Sequence, residues 1–263
     1  MENREKRAIF YEPTNSLSHI KNVIGVVSGK GGVGKSLVTS LLASEMNKRG
    51  FTTAVLDADI TGPSIPKAFG VDEPLKSYTE GTYPSLSKNG VKIASMNLIL
   101  DDASSPVVWR GPVLSGAIKQ FWKDIVWEEV DYMFVDLPPG TSDAILTVFQ
   151  TIPLQGIVLV TSPQELVSMI VDKALNMAKK MDIPVMGVIE NYSYFVAPDT
   201  KNVYEIFGKS KIEELAKQKN LDLLARIPIN PEIAEKIDAG KVEEFDASFL
   251  SDALDKIINF EEK

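Results

Sequence analysis

The stretch that decides the fold is GKGGVGKS at residues 29–36. It fits the pattern G-x-x-x-x-G-K-[S/T], which binds phosphate when a buried strand precedes it and a helix follows it. The apolar run VIGVV at 23–27 predicts that strand, and residues 36–49 predict that helix. Glycines let successive backbone N–H groups turn toward one centre, and the helix N-terminus adds its positive end. The expected nucleotide-binding residues are Gly29, Lys30, Gly31, Gly32, Val33, Gly34, Lys35 and Ser36.

Several groups around this loop have expected roles toward ATP and its metal ion. Lys35 is expected to reach the β- and γ-phosphates, and the Ser36 hydroxyl is expected to ligate Mg²⁺. Gly140, which follows two prolines, offers a backbone N–H for the γ-phosphate. Lys30 cannot easily fold back onto phosphates that Lys35 already contacts, so its side chain is predicted to point outward. Lys35 is therefore a candidate catalytic residue.

Aspartates follow two predicted buried strands. Asp136 ends the strand at 132–135, while Asp57 and Asp59 follow the strand at 53–56. In parallel sheets such strand ends hold ligands. Carboxylates that converge on a phosphate site would repel one another and the nucleotide unless a divalent cation lay between them. The predicted metal site comprises Ser36, Asp57, Asp59 and Asp136. We expect Asp59 to orient or activate the attacking water and Asp57 to support the water shell of the metal.

Strand and helix patterns alternate along the rest of the chain. Further strands are predicted at 91–96, 156–161, 185–189 and 223–227, and helices near 142–150, 166–178, 209–217 and after Asn230. Residues 61–66 and 191–202 are predicted to be loops. Alternation of this kind, with mostly continuous apolar strands, implies a parallel sheet covered on both faces. The prediction is an α/β, single-domain, doubly wound and mostly parallel sheet at residues 23–263, after a polar N-terminal tail at 1–22.

Composition excludes several classes of function. The chain has 263 residues, a net charge of −8, one histidine (His19) and no cysteine. Nucleic acid and anionic lipid are bound chiefly through an excess of Lys and Arg, so neither is expected as a partner. Thiol catalysis, thiolate metal sites and multi-histidine sites are excluded as well. No run of about 18 apolar residues occurs, so we expect a cytoplasmic location and no membrane span.

The loop and its downstream motifs carry a family resemblance. The second lysine of the loop resembles the deviant Walker A of P-loop NTPases in the MinD, ParA and nitrogenase-iron-protein superfamily. The match narrows to the Mrp (ApbC-like) family through DADITGPSIP at 57–66, WRGP at 109–112, DLPPGTSD at 136–143 and GVIENYSYF at 187–195. The resemblance implies a homodimeric, Mg²⁺-dependent ATPase that carries iron–sulfur clusters. It also implies that Lys30 is a catalytic residue, acting on the nucleotide of the partner subunit, and that Asn191 contacts adenine.

Two features depart from the family pattern. The family commonly has Cys-Pro-x-Cys just after the Asn-Met-Ser-Tyr-Phe segment, which supplies two thiolates per chain to a cluster shared across the dimer. Here that stretch reads Ala197-Pro198-Asp199-Thr200, and Tyr192 stands where methionine is usual. A conventional thiolate-held cluster is therefore not expected on this chain by itself.

These features leave more than one function open. The leading interpretation is an ATPase of iron–sulfur protein assembly, whose partners would be assembly or client proteins. A second is a positioning switch like MinD or ParA that binds membrane or nucleoid when loaded with ATP. Its test is the apolar stripe at 249–258, which the flanking acidic residues make more suited to core docking than to lipid. A third is a nucleotide-gated scaffold that does not hydrolyse ATP.

Overall fold

A computed structural model describes residues 11–59, 64–95, 98, 111–140, 143–163 and 167–261. Within these ranges the strands are β1 (Ser18–Ser28), β2 (Thr53–Asp57), β3 (Lys76–Tyr78), β4 (Gly81–Tyr83), β5 (Ser85–Leu86), β6 (Lys92–Ser95), β7 (Glu128–Asp136), β8 (Gly156–Thr161), β9 (Val185–Glu190), β10 (Phe195–Val196), β11 (Val203–Tyr204) and β12 (Leu223–Arg226). The α-helices are α1 (Lys35–Lys48), α2 (Ser64–Phe69), α3 (Gly111–Asp124), α4 (Asp143–Thr151), α5 (Val167–Lys180), α6 (Ile212–Gln218), α7 (Pro231–Asp238) and α8 (Ser251–Ile258).

The core of the fold is an eight-stranded sheet in the order β12-β9-β8-β1-β7-β2-β6-β5. Every neighbouring pair is parallel except β5 with β6, which form an antiparallel hairpin. Two apolar cores lie on opposite faces of the sheet. One packs α3, α4, α5 and α6, and the other packs α1, α2, α7 and α8. The predicted mostly parallel α/β sheet is therefore confirmed.

The first strand is longer than its apolar pattern predicts. It begins at Ser18 rather than at residue 23, so part of the predicted polar tail lies in the sheet; residues 1–10 of that tail fall outside the described ranges. This extension pairs only with β7, since β8 joins β1 at Ile24. Polar side chains suit this half-covered position, and Lys21 forms an ion pair with Asp131 of β7 at 2.7 Å.

Two predicted loops contain regular structure. Helix α2 begins at Ser64, inside the loop predicted at 61–66, and it buries Ile65 and Phe69; residues 60–63 lie outside the described ranges. Pro66 suggested a break, but in a first turn proline loses no helical hydrogen bond. The loop predicted at 191–202 likewise contains β10, which pairs with β11 in a short antiparallel hairpin.

The C-terminal helix docks on the sheet. In α8 the side chains of Leu254 and Ile257 are buried in the same core as α1, which confirms the docking that the acidic flanks predicted. The helix before it is capped as predicted, because the Asn230 side chain accepts a hydrogen bond from the Glu232 N–H at 2.9 Å.

Candidate functional site

The loop at residues 29–34 connects β1 to α1 at the carboxyl edge of the sheet. Gly32 and Gly34 have φ angles of 79° and 78°, in the left-handed region that glycine adopts readily. The Gly34 carbonyl accepts the Val38 N–H at 3.0 Å, which starts the helix. Lys30 is half-buried, and its ammonium makes no hydrogen bond or ion pair with the part of the chain that the structure describes. The strand–loop–helix arrangement predicted for phosphate binding is thus present.

Asp136 is the centre of a buried polar cluster below this loop. Its side chain is fully buried. One carboxylate oxygen accepts the Ser36 hydroxyl at 2.5 Å and pairs with the Lys35 ammonium at 2.8 Å. The other oxygen accepts the Thr39 hydroxyl at 2.7 Å. The loop lysine, the loop serine and the strand-end carboxylate are therefore in direct contact.

Asp57 lies beside Asp136 on the neighbouring strand, in register with it. It accepts the Ser95 hydroxyl at 2.8 Å and the Asp59 N–H at 3.1 Å. Burial, and next the charge of Asp136, hold the pKa of Asp57 well above its ordinary range, although Ser95, Lys35 and the Asp59 N–H act in the opposite direction. The negative charge of this pair of carboxylates is therefore only partly compensated.

Asp59 approaches the same lysine from the side. Its carboxylate is 3.4 Å from the Lys35 ammonium, which thus lies between Asp59 and Asp136. The candidate metal ligands around the Lys35 ammonium are hard oxygen atoms, which suit Mg²⁺. Among the described residues, no group of three or more His, Asp or Glu side chains is already arranged to hold a metal ion. The donor set fits an ion that keeps several waters and binds through one or two carboxylates together with phosphate oxygens.

Two groups that are predicted to contact the nucleotide make hydrogen bonds within the chain. The Gly140 N–H donates to the Ser28 carbonyl at 2.9 Å, so it does not face the site as a free donor for a γ-phosphate. The Asn191 side chain is only 1% exposed, and its amide nitrogen donates to the Val33 carbonyl at 2.9 Å. Asn191 therefore contacts the phosphate loop itself, and its contact with adenine stays a prediction.

The sequence prediction missed two side chains of the site. Thr39 lies one helical turn after Lys35 on the same face of α1, and this spacing could have indicated its contact with Asp136. Ser95 ends β6, the strand next to β2, so its position at a strand end was the available signal for its contact with Asp57. Both hydroxyls hold a carboxylate in place, and the Thr39 hydroxyl also lies 3.0 Å from the Lys35 carbonyl oxygen.

Residues 197–200, where the sequence departs from the family pattern, lie in the turn between β10 and β11. Ala197 is buried and Thr200 is exposed, and the Ala197 N–H donates to the Asn202 carbonyl at 2.9 Å across the turn. Large apolar side chains are exposed on and after this hairpin: Val196, Val203, Tyr204, Ile206 and Phe207. Separately, none of the helices in the described ranges is both long and apolar enough to cross a bilayer.

Comparison with known proteins agrees with this geometry. The family model described as ParA, NUBPL iron-transfer P-loop NTPase, matches residues 19–260. An iron-sulfur cluster carrier protein of Clostridium perfringens is 46% identical over 235 residues, which cover 86% of this chain and 82% of that protein. A protein of the same name from Methanocaldococcus jannaschii is 46% identical over 228 residues, or 86% and 78% of the two chains.

Solved structures show the same fold. A nucleotide-binding protein from Archaeoglobus fulgidus, solved in complex with ADP, has a TM-score of 0.79 and 37% identity, and the match covers 94% of each chain. The cell division ATPase MinD of Pyrococcus furiosus has a TM-score of 0.64 and 21% identity, with 90% of this chain and 98% of that chain covered. The second likeness concerns the fold alone.

Proposed function

This chain belongs to the NUBPL iron-transfer family of P-loop NTPases, and we propose that it is a Mg²⁺-dependent ATPase that works as a nucleotide-gated homodimer in iron–sulfur protein assembly. One observation carries the proposal: Lys35 and Ser36 of the phosphate loop both contact the buried carboxylate of Asp136. That contact places a cation, a hydroxyl and a carboxylate at the helix N-terminus where a nucleotide phosphate would bind.

The site supports a sequence of roles for its side chains. A triphosphate carries more negative charge than two carboxylates, so Lys35 would exchange Asp59 and Asp136 for phosphate oxygens. Ser36 and Asp136 would hold Mg²⁺, and Asp57 would accept hydrogen bonds from its water shell. The bound ion would neutralise charge on the phosphates. Once Lys35 has left it, the Asp59 carboxylate would accept a proton from the attacking water.

Lys30 supports the dimer. Its ammonium has no partner among the described residues, and a cation next to a phosphate loop can act on a second copy's nucleotide, as an arginine finger does in trans. The acidic chain and the burial of Leu254 and Ile257 give no support to a membrane-bound positioning switch.

A mixing experiment tests the trans role. Lys30→Ala and Asp59→Asn should each bind MgATP and turn it over slowly. If Lys30 acts in trans, a mixed dimer has one site with its own Asp59 and the partner's Lys30, so an equal mixture should recover roughly one quarter of wild-type turnover under random pairing. Lys179→Ala, a lysine in the last turn of α5, serves as the control for loss of a surface charge. Recovery of no activity in the mixture would contradict the trans role.

Iron–sulfur cluster binding would require a partner protein. The relatives are named iron-sulfur cluster carriers, but this chain has no cysteine. We therefore propose that any cluster is held by thiolates of a partner protein. Anaerobic reconstitution of the purified chain with iron and sulfide should leave no stoichiometric visible chromophore after desalting. A stable chromophore at one cluster per dimer would overturn this part of the proposal.

A further inference from the structure

A threonine of α1 contacts the carboxylate at the end of β7. The Thr39 hydroxyl lies 2.7 Å from Oδ1 of Asp136 and 3.0 Å from the Lys35 carbonyl oxygen, which is one helical turn earlier. A hydroxyl has a single proton, so it donates to one acceptor at a time. A carboxylate is the stronger acceptor of the two, and its distance is the shorter. Thr39 therefore donates to Asp136.

The Thr39 hydroxyl is itself held in place. The residue is fully buried, so bulk water does not compete for the bond. A threonine in a helix divides between two χ1 rotamers, because its hydroxyl can approach the carbonyl of the preceding turn. The distance to the Lys35 carbonyl identifies that rotamer here. The hydroxyl thus approaches Asp136 from a fixed point on the helix.

The backbone of Asp136 is fixed as well, since β7 pairs with β1 on one side and with β2 on the other. Only its side-chain torsions remain to be set. The two carboxylate oxygens have different partners: Oδ1 accepts the Thr39 hydroxyl, whereas Oδ2 contacts Lys35 and Ser36 of the phosphate loop. The bond from Thr39 therefore sets the plane of the carboxylate and leaves the other oxygen directed to the loop.

The orientation of this carboxylate matters for the ion that the site is proposed to hold. Mg²⁺ requires nearly octahedral geometry with short bonds to oxygen, whereas Ca²⁺ accepts more oxygen ligands in flexible arrangements. Removing a hydrogen-bond partner of a ligating carboxylate typically lowers metal affinity by about 10–100-fold. Loss of the Thr39 hydroxyl should hence disfavour Mg²⁺ more than Ca²⁺.

We propose that Thr39 is a positioning residue that orients the carboxylate of Asp136 for Mg²⁺ and makes the site selective for Mg²⁺ over Ca²⁺. This inference rests on the proposed function, since it presupposes that Asp136 holds the ion that accompanies ATP. It adds a statement about selectivity: loss of the hydroxyl weakens ATP binding with one ion more than with the other.

The test measures the Kd of ATP by calorimetry, once with Mg²⁺ and once with Ca²⁺. Thr39→Val keeps the shape of the side chain but removes the hydroxyl. It should raise the Kd with Mg²⁺ about tenfold and the Kd with Ca²⁺ by less than about threefold. Thr39→Ser keeps the hydroxyl and should restore wild-type values with both ions.

Ser40→Ala is the matched control. Ser40 is also buried in α1, and its hydroxyl donates to the Ser36 carbonyl of the preceding turn at 2.9 Å. Within the described ranges it makes no hydrogen bond to a carboxylate. Ser40→Ala therefore removes a helical hydroxyl without touching Asp136, and the ratio of the two Kd values should stay at its wild-type value.

The ratio of the two Kd values separates the alternatives. If Thr39 only supports the helix, Thr39→Val weakens ATP binding equally with both ions, and that result would overturn the proposal. Wild-type values in Thr39→Val, or an equal shift of the ratio in Ser40→Ala, would overturn it as well. Should Thr39→Val fail to fold, Thr39→Ala replaces it in the same comparison. A wild-type chain that does not bind ATP with Mg²⁺ would instead contradict the proposed function, and this inference with it.

Discussion

Replacing Lys35 with methionine should destabilise the folded chain as well as abolish its activity. The Lys35 ammonium is buried between Asp136 at 2.8 Å and Asp59 at 3.4 Å, and Asp57 lies in register beside Asp136. Methionine keeps most of the length of the side chain but removes the cation from between these carboxylates. Removing one partner of a buried ion pair costs about 3–5 kcal/mol. In a domain of this size each kcal/mol lowers Tm by roughly 2–4 °C, so we expect a loss of about 10 °C.

A second substitution should restore much of this stability. Asp136→Asn removes the orphaned charge, and its amide can still hydrogen-bond to the hydroxyls of Ser36 and Thr39. The double variant should therefore lie within about 2 kcal/mol of wild type. Lys92 provides the matched control, because it is also buried but its carboxylate partner, Glu128, is largely exposed. Lys92→Met should cost less, and Glu128→Gln should not rescue it.

Urea denaturation followed by tryptophan fluorescence can measure all of these variants, since Trp122 and Trp127 are buried in the core. Mg²⁺ without nucleotide offers a further measurement. In Lys35→Met the ion can replace the missing positive charge, so it should raise the denaturation midpoint more than in wild type. A loss below about 1 kcal/mol in Lys35→Met, or additive losses in the double variant, would refute this electrostatic account of the site.

Two further substitutions follow from the same geometry. Burial and Asp136 raise the pKa of Asp57 above its ordinary value of 3.8, so the folded chain retains a proton that the unfolded chain has released, and stability falls as pH rises from 3.8 to the raised value. Asp57→Asn should flatten that slope and add roughly 0.5–2 kcal/mol at neutral pH while lowering Mg²⁺-dependent turnover; a denaturation series across pH checks both the slope and its sign. Gly34→Ala should abolish MgATP binding, because the added methyl group collides with Asn191. Gly50 has a similar positive φ of 90°, and a methyl group there would meet nothing within 4 Å, so Gly50→Ala should lower the free energy of unfolding by only about 1 kcal/mol and leave MgATP binding intact. Equal MgATP affinities of the two variants in calorimetry would contradict the collision argument.

Much of the site could be predicted from the sequence because its parts are local. A phosphate loop is specified by glycines within a few residues, and strand-end aspartates are placed by the parallel sheet whatever the intervening chain does. The contacts that sequence reasoning missed are those between distant segments. The hydrogen bond from the Asn191 amide to the Val33 carbonyl of the loop was not predicted, and the contact of Asn191 with adenine stays a prediction. The Gly140 N–H was expected to be available and is bonded to Ser28.

The prediction of the fold was also accurate for local patterns and inaccurate where distant segments pair. Continuous apolar runs identified the central strands, but they gave no sign of the polar start of β1 at Ser18, which is stabilised by pairing with β7 rather than by burial of its side chains. Helix α2 was hidden because its glycine and proline neighbours indicate a loop when considered alone. In both places a neighbouring element decided the structure, and local composition could not reveal it.

The charge of the site gives a reason for the proposed dependence on a metal ion. Lys35 contacts Asp59 and Asp136, so one cation already faces two carboxylates even where the raised pKa of Asp57 leaves that group protonated. ATP brings further negative charge to the same place. Backbone N–H groups and the helix dipole contribute only fractional positive charge, and Lys35 can serve the phosphates only by leaving the carboxylates. A divalent cation is the one component of the proposed mechanism with enough charge to serve both groups at once. On this argument Mg²⁺ is required for nucleotide binding to this site and not only for hydrolysis.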